Sequence, residues 1–294
     1  MGDVQVVIQS VPLRGLVQMT NDVYHRAPGI SNSHLGCIAG KSPMHYWAQY
    51  VDPDRDQRVS TPAQILGQAI HIAILEPDLM EENVVCGLEI DRRSNANKAE
   101  WKAFYAEHAH QIIIPSEKYA DVRAIRDAVH RHPVAHGLLQ GGRAEQTFFA
   151  TKMVTTTDAT TGEITEEEVL IKCRTDYLHD SGQIIVDVKS TEDASPIGFG
   201  KSAANYRYDV QVAWYFDVFF QLYGERPQNW AFLAFEKEYP YAIGIYYPTQ
   251  DQIERAHMAA QRDLQRIVEC RRASHWPDYG FEIQELQLPG WMKR

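Results

Sequence analysis

The sequence predicts a mixed α/β (α+β) fold with a helical N-terminal part, and two observations carry that expectation. Helix-type periodicity with good helix formers fills the first half of the chain, and from Glu145 onward the pattern turns to strands joined by turn residues. Helices first and a strand-and-helix core second fit one central mixed sheet flanked by helices. With 294 residues there is material for one large domain. We read it as a single domain, 1–294, with the helical part at about 30–140, the sheet-containing core at about 141–272 and a packed extension at 273–294.

The elements follow in order. Ser31 and Ser42 are candidate helix caps, the second followed by Pro43 at a first helical position. Thr61-Pro62 repeats that start signal before an apolar helix ending at Glu76-Pro77, and helical patterns recur at 95–109 and 116–131. After Gly141-Gly142 come three strand patterns, EQTFFATKMV, VLIKCRTDYL and QIIVDVKST, with the Thr/Glu-rich stretch Thr155 to Glu168 expected as a solvated hairpin tip. An apolar helix at 208–223 stops at Gly224, NWAFLAFEK and YAIGIYY read as two more strands, and a helix at 249–272 follows Pro248. The tail carries Trp276, Tyr279 and Phe281, too much apolar surface for a solvated end, hence the expected packed extension.

Composition removes several classes. A 44% hydrophobic share excludes a disordered chain. No apolar run approaches the roughly 20 residues of a membrane span. The first residues lack the basic start and apolar stretch of a signal peptide, and Val6 stands where a myristoylation signal wants Ser or Thr. The expectation is a cytoplasmic protein with no membrane partner. Cys37, Cys86, Cys173 and Cys270 are scattered with no C-x-x-C pair, which excludes an iron–sulfur cluster or zinc ribbon. The net charge of -10 argues against a phosphate-rich partner for the surface as a whole. Much of the excess is local, however, at Glu163 to Glu168 and Asp52 to Asp56. Lys172, Arg174, Lys189, Lys201 and Arg207 lie near the motifs described next, so we expect an acidic exterior with a basic groove.

The segment CRTDYLHDSGQIIVDVKST carries the chemistry. Side chains alternate along a strand, so Asp187 and Lys189 share a face, as do Asp176, Arg174 and Lys172. A two-residue turn at Ser181-Gly182 sets Asp176 directly across from Asp187. Like charges in that position destabilise a sheet, and a hard divalent cation resolves the conflict. Mg²⁺ prefers carboxylate oxygens and is commonly held by one or two of them plus substrate phosphate. Lys189 beside it can orient or deprotonate a nucleophile or neutralise developing charge. The chemistry such a patch suits is phosphodiester hydrolysis, although an Asp-x-Lys on a strand is by itself more often a solvated hairpin. His71, on an otherwise apolar helix, reads either as a hydrogen-bonded core residue or as a metal ligand. Glu145 opens the first core strand, and Gln211 and Tyr215 share one helix face with Tyr208 a turn earlier.

Taken in order, Gly67-x-x-x-His71, Glu145, Asp176, Asp187-Val188-Lys189 and Gln211-x-x-x-Tyr215 resemble the RecB-like branch of the PD-(D/E)xK nuclease superfamily, with its restriction-endonuclease-like core. Within it the pattern is similar to RecE-type (exonuclease VIII) phage exonucleases, themselves related to lambda exonuclease. The segment ISNSHLGCIAGKSPMHYW also resembles that family's N-terminal part, so the resemblance runs from about Ile30 to Tyr247. Thr175 stands where the family often has proline before the first aspartate. The resemblance implies that His71, Asp176, Asp187 and the Val188 carbonyl bind metal and that Lys189 is the catalytic lysine. It makes Glu145 an outer or second-metal carboxylate, and has Gln211 and Tyr215 position lysine, water or DNA backbone. It further implies a Mg²⁺-dependent exonuclease, with Mn²⁺ able to substitute, that digests double-stranded DNA from 5′ ends. The 3′ overhangs would serve a RecT-like annealing protein, and the enzyme would be a homo-oligomeric ring, trimer or tetramer, encoded by a bacterium or phage. Ser31, Ser33, Lys41, Lys201, Arg207 and Tyr208 are candidate DNA contacts, from their hydroxyl or basic character beside the motifs. The rival expectations are a non-catalytic DNA-end or protein-binding module on the same scaffold and an endonuclease. Retention of the whole constellation favours the enzyme.

Overall fold

The computed structural model describes residues 14–55, 60–91, 93–158, 161–280 and 282–286. Its first half contains β1 (Gly15–Val17), α1 (Asn21–Arg26), α2 (Asn32–Gly40), α3 (Pro43–Tyr46) and a π-helical turn at Trp47–Val51. There follow α4 (Pro62–Leu75), α5 (Met80–Asn83), β2 (Val84–Cys86), α6 (Asn95–Glu107), β3 (Ile112–Ile114), α7 (Ser116–Arg131) and α8 (Pro133–Leu138). The second half holds β4 (Gly142–Thr157), β5 (Ile164–His179), β6 (Ile184–Thr191), α9 (Pro196–Tyr206), α10 (Tyr208–Tyr223), β7 (Asn229–Glu236), β8 (Ile243–Tyr246) and α11 (Gln250–Ala273).

Six strands form one mixed sheet in the order β1-β4-β5-β6-β7-β8, while β2 and β3 pair separately. Within the six-stranded sheet all neighbours are antiparallel except β6 and β7, and β2 and β3 pair in parallel. Parallel strands need a crossover, and the chain supplies it as α9 and α10. One face of the sheet packs Val186, Val188, Leu233 and Phe235 against α4 and α7; the other packs Phe148, Cys173, Ile185 and Phe232 against α2, α10 and α11. The expected α/β core flanked by helices is therefore the observed one. Among the described residues no helix is long and apolar enough to cross a membrane.

Local chemistry explains the element ends. Thr61 accepts the Gln64 amide and Gln64 returns the bond, a capping box ahead of Pro62. Ser31 donates its amide to His34 Nδ1 at 3.2 Å and bonds it through Oγ at 2.8 Å, so His34 takes the place usually held by Glu or Gln; Ser42 Oγ likewise bonds His45 Nδ1 at 2.7 Å. Gly224 ends α10 at φ 74°.

Two expectations need correcting. The Thr155 to Glu168 stretch is mostly strand: Thr155 pairs with Glu166 and Thr157 with Ile164, so among the described residues only Asp158 and 161–163 lie outside the two strands. Helix α9 was not expected, because Gly198 and Gly200 dilute its pattern, yet Ser195-Pro196 is a start signal and Ser195 Oγ accepts the Gly198 amide. The extension packs through Trp276, stacked on Tyr46, and through the Pro277 carbonyl, which accepts the Met44 amide. Ile283 and Leu286 stand exposed. Phe281 and residues 287–294 lie outside the described residues, as do residues 1–13 and Asp56.

Candidate active site

The site grows from the place where β5 and β6 part. Tyr177 lies opposite Val186 and Leu178 opposite Ile185, the register that puts Asp176 across from Asp187, but the ladder stops there. Beyond it, each backbone group on that edge of β5 needs another partner. The Asp176 carboxylate takes the Val188 amide at 2.7 Å, Tyr215 Oη donates to the Arg174 carbonyl at 2.9 Å, and Trp214 Nε1 donates to the Lys172 carbonyl at 3.0 Å. Ile30 completes the edge, accepting the Lys172 amide and donating to Leu170. Helix α10 and the segment before α2 thus stand where β6 would have continued, and the gap exposes Asp176.

On the other side of β5, Ala144 pairs with Tyr177 and Gln146 with Thr175, so Glu145 stands level with Asp176. Glu145, Asp176 and Asp187 accordingly form one row across β4, β5 and β6. Glu145 is held at φ 56°, a left-handed conformation that disfavours every side chain but glycine's absence of one. The strand changes phase there: Phe148 faces the α10 layer, whereas Ala144, of the same parity, packs with the α4 layer.

His71 reaches the row from α4, its Nδ1 3.9 Å from Asp176 Oδ1. Donor atoms of His71, Glu145 and Asp176 all lie within 4.8 Å of one another. Gly67, one turn before His71, has open space where a Cβ would sit, with no atom of the described residues beyond its own helix within 4 Å. Arg174 makes an ion pair with Glu145, and its buried Nη1 has no acceptor among the described residues. Burial raises the Glu145 pKa, with the Asp176 carboxylate adding to it and Arg174 opposing.

Asp187 is buried, at 1% exposure. Its Oδ1 accepts from Gln211 Nε2 at 2.6 Å, and its Oδ2 meets the Lys189 ammonium as an ion pair. Burial pushes the Asp187 carboxyl up, and Lys189 pulls against it. For Lys189 burial disfavours the ammonium, but Asp187 and Asp176 outweigh it and hold the pKa above the ordinary lysine value. Lys189 Nζ lies 4.9 Å from the Tyr208 ring centroid, a cation–π contact.

The donor set suits a hard or borderline divalent cation: two carboxylates and an imidazole converge, and the carboxylates repel without one. A residue's N–H and C=O leave a strand on the same side, so the Val188 carbonyl also faces β5 and Asp176.

The family model described as "PDDEXK-like domain of unknown function (DUF3799)" matches residues 38–288. The chain belongs to this PDDEXK-like family. It is similar in fold to a crystal structure from Eubacterium rectale described as a "putative exonuclease", with a TM-score of 0.59 and 15% identity, covering 92% of this chain and 97% of that one. A second solved structure, that of SSO0001, aligns at a TM-score of 0.26 with 15% identity over 68% of this chain and 85% of that one, and carries no argument. None of the curated proteins compared with the chain matches it.

Within this PDDEXK-like fold the expected residues are distributed unevenly. His71, Glu145, Asp176, Asp187, Lys189 and Gln211 come together. Their contacts are specific. Glu145, expected as an outer or second-metal carboxylate, stands in the compact donor trio, and Asp187, expected among the ligands, lies beside it with Gln211 and Lys189 on its two oxygens. Tyr215, expected to position lysine, water or DNA backbone, donates its hydroxyl to the Arg174 carbonyl and braces β5.

Three of the five basic residues expected to line a groove are engaged within the fold. Lys172 is buried on the Tyr24 and Ala27 carbonyls at 2.7 and 2.6 Å, Arg174 is paired with Glu145, and Arg207 is tied to Asp263 at 2.6 Å. Ser31, at 5% exposure, caps α2, so it is no surface contact. Ser33, Lys41 and Lys201 are exposed, and Tyr208 is half-buried against Lys189. Sequence reasoning missed Trp214 as part of the support; its position one residue before Tyr215 on an apolar helix gave no polar signal.

Proposed function

We propose that this protein is a divalent-cation-dependent nuclease that digests linear double-stranded DNA from 5′ ends and leaves 3′ single strands for an annealing protein of the RecT type. The observation that carries the hydrolytic reading is the His71–Glu145–Asp176 trio beside the Asp187–Lys189 pair. A divalent cation, when bound, supplies charge neutralisation at phosphoryl oxygens and acidifies water. His71, Glu145 and Asp176 would hold it, with the Val188 carbonyl and Asp187 within the same row. Mg²⁺ is the cation we infer, with Mn²⁺ as a substitute that tolerates the imidazole. Lys189, as an ammonium, donates hydrogen bonds to the attacking oxygen or to the phosphate, and Gln211 fixes the carboxylate that orients it. Arg174, paired with Glu145, would be free to hold a phosphate oxygen once Glu145 turns to the cation.

The choice of an exonuclease rests on the ordered motifs shared with RecE-type enzymes and on the fold shared with the Eubacterium rectale protein. The same resemblance leads us to infer a ring of three or four copies around the duplex. A digestion time course on linear duplexes with one blocked end tests the reading: loss of digestion on blocking the 5′ end supports it, and preference for 3′ ends contradicts it. Nicking of closed circular plasmid would point to the endonuclease instead.

A further inference from the structure

The rings of Tyr206 and Tyr208 are stacked, with centroids 5.8 Å apart and planes 22° from parallel. Residues two apart on an unbroken helix point to nearly opposite sides, so this contact requires a break between them. Arg207 provides it, at φ 56° and ψ 47°, where α9 ends and α10 begins. Side chains other than glycine seldom adopt that conformation. Arg207 is held in it by Asp263 Oδ2, 2.6 Å from Nη2, and by the Leu35 carbonyl, 3.3 Å from Nη1. Its own carbonyl accepts the Gln211 amide, so the same joint sets the start of the helix that carries Gln211.

The result is an aromatic step leading outward from the site. Lys189 Nζ sits over the Tyr208 ring, and Tyr206, 69% exposed, sits against Tyr208 with no other ring contact among the described residues. We propose that Tyr206 is a stacking platform for an unpaired nucleobase next to the phosphodiester bond that Lys189 addresses. The proposal rests on the nuclease reading above for its substrate. Every base has a π-face, so an aromatic platform binds without sequence preference. Bases inside a duplex are covered on both faces by their neighbours, so a frayed or displaced end offers a free face that the duplex interior does not. The strained Arg207 joint is what turns two neighbouring tyrosines to the same side.

The test is binding of dye-labelled DNA with a splayed 5′ end, followed by fluorescence anisotropy in Ca²⁺. The wild type, Tyr206→Ala and Tyr206→Phe are each compared on normal DNA and on DNA made abasic at each terminal nucleotide in turn. We expect Tyr206→Ala to bind normal DNA about tenfold more weakly, Tyr206→Phe to stay within about twofold, and the alanine variant to lose nothing further at one abasic position. Equal loss on normal and abasic DNA, no loss on either, or a wild type indifferent to the abasic positions overturns the proposal. Hydrolysis of linear duplex in Mg²⁺ or Mn²⁺ is scored separately. If the wild type leaves duplex intact, the nuclease reading falls while the binding comparison still decides the platform; if digestion proceeds and the comparison fails, only the platform falls.

Discussion

Gln211 Nε2 lies 2.6 Å from Asp187 Oδ1, so a side chain of α10 holds the buried carboxylate whose other oxygen meets Lys189. The pair acts as one unit in which the helix sets the strand residue. Removing Gln211 leaves a buried carboxylate oxygen without its donor and frees Lys189 to wander. We expect Gln211→Leu to lower DNA hydrolysis by about 10- to 100-fold, the range for partners that orient a metal-site residue, with circular dichroism unchanged. Activity within twofold of wild type would show that Asp187 needs no such support.

The donor trio predicts linkage between cation and stability. Mn²⁺ or Mg²⁺ should raise the melting temperature of the wild type with increasing concentration, since a ligand that binds only the folded state stabilises it. In His71→Ala the rise should require a concentration at least about tenfold higher, by the 10- to 100-fold weight of metal-site residues. Parallel titrations of the two proteins would remove His71 from the site.

Lys172 predicts a pH dependence far from the trio. Its burial lowers its pKa from 10.5 to about 8. Between those values the unfolded chain binds a proton that the folded chain does not, so this residue's contribution to stability rises with pH from about 8 upward and is least below it. Urea unfolding of the wild type should gain up to about 1.4 kcal/mol per pH unit relative to Lys172→Met, between pH 8 and 9.5, below the range where tyrosines titrate. Curves that run parallel would contradict the assignment.

Much of the site was legible because its chemistry repeats with the strand period. The alternation in Asp187-Val188-Lys189 and the Ser181-Gly182 turn gave the register observed at Tyr177 and Val186. The spacing of Gln211 and Tyr215 gave their shared face, but not that only Gln211 would reach the acidic row, because that depends on where β6 leaves β5. Glu145 could not be read as level with Asp176, since its left-handed backbone has no sequence signal at a glutamate. The basic residues misled for a related reason: charge type is visible in a sequence, but the partners of Lys172, Arg174 and Arg207 come from segments far along the chain. Strands β1, β2 and β3 are three residues each, too short for any period to register.

A structural prediction concerns the layer behind the site. Lys152 Nζ bonds both oxygens of Asp217, at 3.0 and 2.7 Å, and Asp217 is 2% exposed. Gln221 and Gln261 add donors at 3.4 and 3.2 Å, which soften the loss of the lysine. Lys152→Met should cost about 3 kcal/mol in urea unfolding, at the low end for breaking a buried pair, and Asp217→Asn with Lys152→Met should recover part of it. A cost below about 1 kcal/mol, the scale of exposed ion pairs, would show that the pair is effectively solvated.

The central claim is that the carboxylate row and Lys189 hydrolyse DNA with a divalent cation. The most direct measurement is the release of acid-soluble nucleotides from linear duplex by the wild type and by Asp187→Ala, in Mg²⁺, in Mn²⁺ and in excess EDTA, with thermal unfolding confirming that the variant is folded. The account predicts release by the wild type with either cation, none in EDTA, and a loss of about 10³-fold or more in the folded variant, as for removal of a group acting directly on the transition state. Undiminished release in EDTA or by Asp187→Ala, or no release by the wild type with either cation, would contradict it.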